Sequence, residues 1–146
     1  MGSLGSSAAV SANLPRVNWL VRSAIVLLYP RTEGLPGAED CDLDAFLERF
    51  RRETTTLMWL GVVLGAVVFH VTPIMTVFLP VPAFLLSPAL ADKHAHRITS
   101  TNVYLARQAV FLVKLPAGLL WGAHPDVRKR FALPPLEADP GTWRIS

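Results

Sequence analysis

A long apolar run occupies the middle of the chain. Residues 54–91 contain no Asp, Glu, Lys or Arg. A continuous helix over residues 57–79 would be roughly 34 Å long at about 1.5 Å per residue, which is enough to cross the core of a bilayer. A histidine, a threonine and a proline interrupt its second half, and residues 80–88 are too rich in proline to continue it. The pattern predicts either a membrane-crossing helix or a buried or half-inserted helix with a bent end.

Shorter amphipathic patterns predict helices before this run. Residues 15–29 carry apolar side chains at helical spacing, with a proline in the first turn and Pro30 as the stop. After a turn rich in Pro and Gly, apolar residues recur at i, i+3, i+4 and i+7 from Leu43, and Asp42 or Asp44 can cap the helix. The first half therefore predicts two helices joined by a turn.

The second half predicts further helices. Ser87 and a following proline are typical of a helix start, and residues 98–115 have helical character, with Arg107 and Lys114 on one face, before Pro116 bends the chain. The sequence predicts an all-α fold of short helices joined by Pro and Gly turns, with one long apolar helix that could insert into a membrane. We divide the chain into three parts: a mobile tail (1–14), a single helical domain containing the apolar segment 57–79 (15–131), and an extended C-terminal tail (132–146).

Composition restricts the function classes. The chain has 146 residues, of which only 17% are charged, against about 25% in soluble domains. Disorder and a free-standing water-soluble enzyme are therefore both disfavoured. The single cysteine, Cys41, excludes an internal disulfide or a multi-cysteine metal site. The net charge is +3 and the positive excess lies after Ala91, which suits an acidic partner or lipid head groups better than nucleic acid.

No catalytic constellation stands out from the residue pattern. The chain has no glycine-rich phosphate loop, no GxSxG and no HExxH. The acidic residues at positions 39–44 are better explained as helix-start charges than as a metal site, because the EF-hand spacing is missing. Gly61 and Gly65 form a GxxxG pattern that would let another helix approach closely. These features predict a helical protein that buries its surface against lipid or a partner.

The histidines allow one alternative function. His70 lies within the apolar run, where burial would keep its imidazole neutral and able to ligate haem or hydrogen-bond a quinone. The chain would then be a small integral membrane protein; otherwise His70 is a hydrogen-bonded or interfacial histidine. His94 and His96 would point in opposite directions on a helix, so we expect a solvated basic segment rather than a metal site. His124, which precedes a proline, is expected to be structural.

Residues 23–50 resemble a known small subunit. The stretch SAIVLLYPRTEGLPGAEDCDLDAFLERF is similar to the opening of subunit 3 of membrane-bound gluconate 2-dehydrogenase, with its turn of the form I-x-P-R-T-x-x-x-P-G-A. The later segments LSPALADKHAHRITSTNVYLARQAVFLVKL and WGAHPDVRKRFALPPL resemble, in order, the region that precedes the flavin domain of long-chain fatty alcohol oxidases. The resemblance covers about residues 23–136.

Such relatives accompany glucose-methanol-choline (GMC) type oxidoreductases, in which FAD in a large subunit or domain oxidises an alcohol. The resemblance implies a non-catalytic accessory subunit, without a cofactor of its own, that forms a heterodimer with an FAD-containing alcohol dehydrogenase or oxidase. It would stabilise that enzyme or anchor it to a membrane that supplies a hydrophobic alcohol. Since the twin-arginine export signal of the family is not apparent, we expect the cytoplasmic side of the inner membrane rather than the periplasm.

Two groups of residues are candidates for these roles. The resemblance assigns partner-binding or structural roles to Pro30, Arg31, Pro36, Gly37, Ala38, Phe46, Ser100, Arg107 and Lys114. The apolar run supplies a candidate membrane or interface surface made of Leu57, Trp59, Leu60, Val63, Leu64, Val67, Phe69 and Phe78. No residue is predicted to be catalytic, to bind a cofactor or to ligate a metal.

Overall fold

Helices make up most of the part of the chain that this computed structural model describes, residues 6–138 and 140, with side chains described from residue 17. The α-helices are α1 (Ser6–Leu28), α2 (Leu43–Glu53), α3 (Thr56–Val71), α4 (Pro73–Thr76), α5 (Pro88–Thr99), α6 (Tyr104–Ala123) and α7 (Pro125–Arg130). Short 3-10 turns lie at Ala38–Asp40 and Ala83–Leu85. These described residues form no strand, so the all-α prediction is confirmed.

The core lies where α1, α3 and α6 meet. α3 and α6 form the most extensive helix–helix contact, and α1 lies against both. Val21 and Ile25 of α1, Phe69 of α3, and Val110 and Val113 of α6 are fully buried there. Each such side chain contributes about 1.5–3 kcal/mol by leaving water, so this three-helix centre fixes the position of the other elements.

Gly65 lets the backbones of α3 and α6 touch. A Cβ atom added to Gly65 would lie 2.1 Å from the carbonyl oxygen of Ala109, whereas one added to Gly61 would lie 3.1 Å from Cδ1 of Leu112. The close approach predicted from the GxxxG pattern is confirmed, and the approaching helix belongs to the same chain. Gly65 is the stricter requirement, because a backbone atom cannot rotate aside as the end of a leucine can.

Several predicted helix boundaries are confirmed. α1 ends before Pro30. Asp42 caps α2, and its side chain accepts a hydrogen bond of 3.4 Å from the backbone N–H of Ala45. Ser87 precedes α5, whose first residue is Pro88. At these positions the local chemistry of one residue is enough to set the boundary.

The start of α1 differs from the prediction. The helix begins at Ser6 rather than at Pro15, so residues 6–14, which we assigned to a mobile tail, are helical. The alanines of this segment favour helix. The prediction of a tail gave more weight to the small polar residues of the segment than to this preference.

The helix boundaries around residues 98–115 also differ from the prediction. α5 extends to Thr99, the chain breaks at residues 100–103, and α6 then continues to Ala123. Pro116 is buried inside α6, which continues past it for seven residues to Ala123. Packing around Pro116 therefore outweighs its tendency to break a helix.

The apolar run does not form one long helix. α3 ends at Val71, the hydroxyl of Thr72 donates to the carbonyl of Val68 at 2.7 Å, and Pro73 begins the separate α4. The continuous helix over residues 57–79 is therefore wrong, and the bent end is confirmed, because Pro73 cannot donate the next helical hydrogen bond. No single helix in the described ranges has the length and apolar character needed to cross a membrane; α5 and α6 meet that test only as a pair, bent by 115°.

Candidate functional site

One side of α3 exposes a row of large apolar side chains at three- and four-residue intervals. The row comprises Leu57, Leu60, Leu64, Val67 and Val71, and it continues past the helix end with Ile74, Met75 and Phe78. Their exposed fractions range from 38% at Val67 to 80% at Leu57. We call these eight residues the outer face. Contact of such a surface with water is unfavourable, so it is a candidate binding surface.

The opposite side of α3 is smaller and more polar. Its buried residues are Val62, Gly65, Ala66, Phe69 and His70. In a water-soluble protein, the apolar stripe of a helix faces the core and the polar stripe faces solvent. In α3 the glycine, the alanine and the histidine lie inside while the leucines lie outside. This distribution is typical of helices that have an apolar environment around them.

α6 extends the apolar surface beside α3. Phe111, Leu115 and Leu119 recur at four-residue intervals and are 52%, 41% and 63% exposed. On the helix they neighbour Leu112, whose side chain lies over Gly61 of α3. The exposed rows of α3 and α6 therefore flank the contact between the two helices, on the side away from α1.

A basic pocket adjoins this surface on α6. It has a volume of about 270 Å³ and is lined by Thr99, Arg107, Gln108, Phe111 and Lys114. The prediction that Arg107 and Lys114 share a face of the helix is confirmed. Within the residues that the structure covers, neither side chain pairs with a carboxylate, so both charges are available to an anion.

Carboxylates are nearly absent from the sequence that builds this surface. Between residues 54 and 125 the chain contains a single acidic residue, Asp92. The same stretch contains four basic residues, Lys93, Arg97, Arg107 and Lys114. The surface of α3 and α6 is therefore apolar with positive charge at its edge.

The turn after α1 is held by a network of hydrogen bonds. Thr32 and Leu35 exchange two backbone hydrogen bonds of 3.2 Å. Asp40 accepts from the backbone N–H of Gly37 at 2.8 Å and from Nε of Arg31 at 3.0 Å. The Arg31 guanidinium, and then the Gly37 N–H, hold the pKa of the Asp40 carboxyl below its ordinary value. The turn that carries the family resemblance is thus a defined structure with a charged pair at its surface.

Two aromatic side chains fix this turn against α6. Nε1 of Trp121 donates to the carbonyl of Pro36 at 2.7 Å, and the hydroxyl of Tyr29 donates to the carbonyl of Lys114 at 3.3 Å. The two rings lie 5.7 Å apart. The turn therefore occupies the flank of α6 opposite to the one that contacts α3, so the turn and the outer face are separate surfaces.

An open polar depression lies between the turn and α7. Its volume is about 750 Å³, and the residues around it include Arg31, Pro36, His124, Lys129 and Arg130. His124 caps α7 by accepting from the backbone N–H of Asp126 at 3.3 Å, which confirms its predicted structural role. The mixed charges and open shape of the depression suit a polar segment of another protein.

His70 is a hydrogen-bonded core histidine. Its Nε2 lies 2.9 Å from Oγ of Ser23 and 3.1 Å from the carbonyl oxygen of Leu20, whereas its buried Nδ1 has no hydrogen-bond partner among the described residues. Burial lowers the pKa of the imidazole, so the ring is neutral at pH 7. The hydrogen-bonded interpretation is confirmed, and a role in binding haem or quinone stays a prediction.

His94 corrects the prediction of a solvated basic segment. Its side chain is fully buried, Nε2 lies 2.8 Å from the carbonyl oxygen of Phe69, and Nδ1 pairs with the hydroxyl of Thr76. Burial lowers its pKa. His96 is exposed on the other side of α5, as expected from helical geometry. The prediction was wrong for His94 because the residues around it in the sequence are basic, which indicated an exposed helix, whereas one face of α5 packs on α3 and α4.

The structure divides the predicted interface residues. Leu57, Leu60, Leu64, Val67 and Phe78 lie on the outer face, Trp59 and Val63 are partly buried, and Phe69 is fully buried. The assignment of Phe69 to an interface is wrong, because its ring packs 4.7 Å from that of His94 in the core. The prediction missed Val71, Ile74, Met75, Phe111, Leu115 and Leu119. Three- and four-residue spacing that continues from Val67 was the signal that could have found the first three.

The residues assigned by the resemblance fall into four places. Five of them, Pro30, Arg31, Pro36, Gly37 and Ala38, build the turn, where Gly37 and Ala38 are buried and structural. A Cβ on Gly37 would lie 2.7 Å from the backbone nitrogen of Arg31. Phe46 is partly buried on α2, Ser100 is exposed at the end of α5, and Arg107 and Lys114 share the basic pocket.

Comparison of the chain with family models, with curated proteins and with solved structures finds no match.

Proposed function

We propose that this chain is a non-catalytic accessory subunit that binds an FAD-dependent GMC-type alcohol dehydrogenase or oxidase and holds it at a membrane or another apolar surface. The proposal rests above all on the outer face. A continuous apolar face that the described residues leave uncovered favours a role in which a partner or a membrane covers it. The resemblance of residues 23–50 supplies the class of the partner, whose own FAD would carry out the oxidation of a hydrophobic alcohol.

The two separate surfaces support a tethering role. The turn and its depression carry exposed polar and charged groups, which are typical of the rim of a protein–protein interface. The outer face carries none. We therefore assign the turn, with Arg31 at its surface, to the flavoprotein, and the outer face to the apolar surface at which the enzyme is held.

Co-expression with a tagged GMC-type flavoprotein from the same organism tests the proposal. We expect the two chains to elute together as a heterodimer. Arg31→Ala should weaken the complex at least tenfold, since it removes the exposed guanidinium from the edge of the depression. Arg22→Ala is the matched control, because Arg22 also pairs with an exposed aspartate, Asp44, at 3.2 Å. Separate elution of the wild-type chains, or equal effects of the two variants, would contradict the proposal.

Haem or quinone binding through His70 is the second candidate. The observation that favours it is the buried Nδ1 atom without a hydrogen-bond partner in the described part of the chain. A Soret band in the purified chain that disappears in His70→Ala and persists in His96→Ala would support it. A colourless preparation that contains no extractable quinone would exclude it.

A further inference from the structure

We infer that the outer face and the basic pocket together form one surface that docks onto a bilayer containing anionic lipid, with the outer face in the head-group–acyl boundary and Arg107 and Lys114 on lipid phosphates. The inference deepens the proposed function, on which it rests for the biological purpose of docking. The physical contact itself requires only this chain.

Shape is the first argument. The exposed apolar side chains lie on two neighbouring helices, α3 and α6, which the contact at Gly65 holds close together. An amphipathic helix that lies in the plane of a membrane buries its apolar face about 5–10 Å into the boundary between head groups and acyl chains. Leu57 and Leu64 on α3 and Leu119 on α6, each more than half exposed, are positioned to enter that layer together.

Charge is the second argument. The basic pocket includes Phe111, which also belongs to the exposed row of α6, so apolar contact and positive charge are adjacent. Nη1 of Arg107 donates to the carbonyl of Thr101 at 3.4 Å and its guanidinium lies 6.0 Å from the ring of Tyr104. Neither contact neutralises the guanidinium. Arginine and lysine beside an apolar surface match the phosphates of anionic lipid.

The same charges distinguish a bilayer from a protein partner. The rim of a protein–protein interface carries polar groups around an apolar centre. If the outer face bound a protein, we would expect charges of both signs around it on this chain. Here residues 54–125 contain one carboxylate, Asp92, against four basic residues. A surface of one sign next to a wide apolar area favours a bilayer with negative head groups.

Vesicle flotation of the full purified chain tests the inference. The chain, diluted from mild detergent, is mixed with vesicles of phosphatidylcholine alone or with about 30% phosphatidylglycerol. We expect binding to the anionic vesicles, at least tenfold weaker binding to the neutral ones, and a decrease as salt is raised, since salt screens the charges. Equal binding to both vesicle types would overturn the role of the pocket.

Variants separate the two parts of the surface. Leu64→Glu should reduce vesicle binding more than tenfold, whereas Leu136→Glu, at a 63% exposed leucine outside the surface, should not. The double change Arg107→Gln and Lys114→Gln should reduce binding to anionic vesicles roughly 25-fold, since each charge near a membrane is worth about a factor of five. Arg49→Gln with Arg52→Gln, at two exposed arginines of α2, is its control. Circular dichroism spectra that match the wild type show that each variant is folded.

Three further outcomes would overturn the inference. The first is undiminished vesicle binding by Leu64→Glu. The second is self-association that disappears in Leu64→Glu without any vesicle binding, which would assign the outer face to a second copy of the chain. The third is loss of vesicle binding when the flavoprotein is added, which would assign it to that partner. Failure of the flavoprotein to co-elute, with vesicle binding intact, would instead refute only the proposed function.

Discussion

The two sides of α3 are both largely apolar, although the inner side is smaller and carries His70, and they have opposite surroundings. The inner side packs on α1 and α6 through Val62 and Phe69, which are fully buried, and the outer side leaves Leu57 and Leu64 80% and 59% exposed. A hydropathy profile does not separate them, because both sides are apolar. The difference shows that one apolar helix can bury one side in the core of its own chain and leave the other side exposed.

Truncation of one large residue on each side gives the largest expected contrast. Phe69→Ala should lower the free energy of unfolding by about 3–5 kcal/mol, because it leaves a cavity in the core. Leu64→Ala should change it by less than about 0.5 kcal/mol in the absence of lipid, because the side chain is already exposed to water. Denaturant unfolding followed by circular dichroism measures both. Similar losses in the two variants would mean that the outer face is not a free surface.

The two glycines of α3 give the next contrast. Gly65→Ala should destabilise the chain by about 1–3 kcal/mol, because the new methyl group would collide with the carbonyl of Ala109. Gly61→Ala should be neutral or stabilising by up to about 1 kcal/mol, because the end of Leu112 can move and alanine favours helix. Thermal unfolding of the two variants checks the order. A larger loss in Gly61→Ala would contradict the close backbone contact at Gly65.

A matched pair of β-branched residues makes the comparison finer. Val62→Thr adds a hydroxyl to the buried side, where it replaces a methyl group, and should cost about 1–2 kcal/mol. Val71→Thr makes the same change at a residue that is 61% exposed, and its effect should stay within about 0.5 kcal/mol. Unfolding in urea measures the difference. Equal values would show that side-chain chemistry, rather than burial, sets the cost.

Acid should lower the stability of the fold through the buried histidines at the inner side of α3, whereas the outer face carries no titratable group. Burial lowers the pKa of His70 and His94 below the ordinary 6.5 in the folded chain. Their contribution to stability is complete above pH 6.5, where both are neutral in either state, and it is lost as the pH falls through that value toward their folded pKa. The unfolding temperature should therefore be lower at pH 5 than at pH 7.5. His94→Gln should flatten this dependence and His96→Gln should leave it unchanged; a profile without slope in the wild type would contradict the assignment.

Local chemistry made much of the fold predictable. The cap at Asp42, the start of α5 at Pro88 and the stop at Pro30 each follow from a residue whose preference is decided within a few positions of the chain. The start of α1 and the continuation of α6 through Pro116 did not follow, because they depend on helix propensity over a longer stretch or on packing around the proline.

The candidate site was predictable only in part. The apolar run indicated a binding surface, and helical spacing placed Arg107 and Lys114 together. The sequence could not show which side of α3 would face α1, so Phe69 was assigned outward and His94 to solvent. Those two residues pack on each other, and that contact joins positions 25 residues apart, beyond the reach of any local pattern.

Phe78 occupies an unusual backbone position at the far end of the outer face. Its φ of 59° lies in the left-handed region, which is an outlier for a bulky side chain. Glycine would relax the peptide there at no steric cost, yet the position carries a benzyl group that is 78% exposed. The strained backbone thus presents an exposed aromatic ring where the chain turns away from its apolar row. Phe78→Gly should stabilise the folded chain, because glycine adopts this φ without strain, and should weaken the proposed binding to a bilayer.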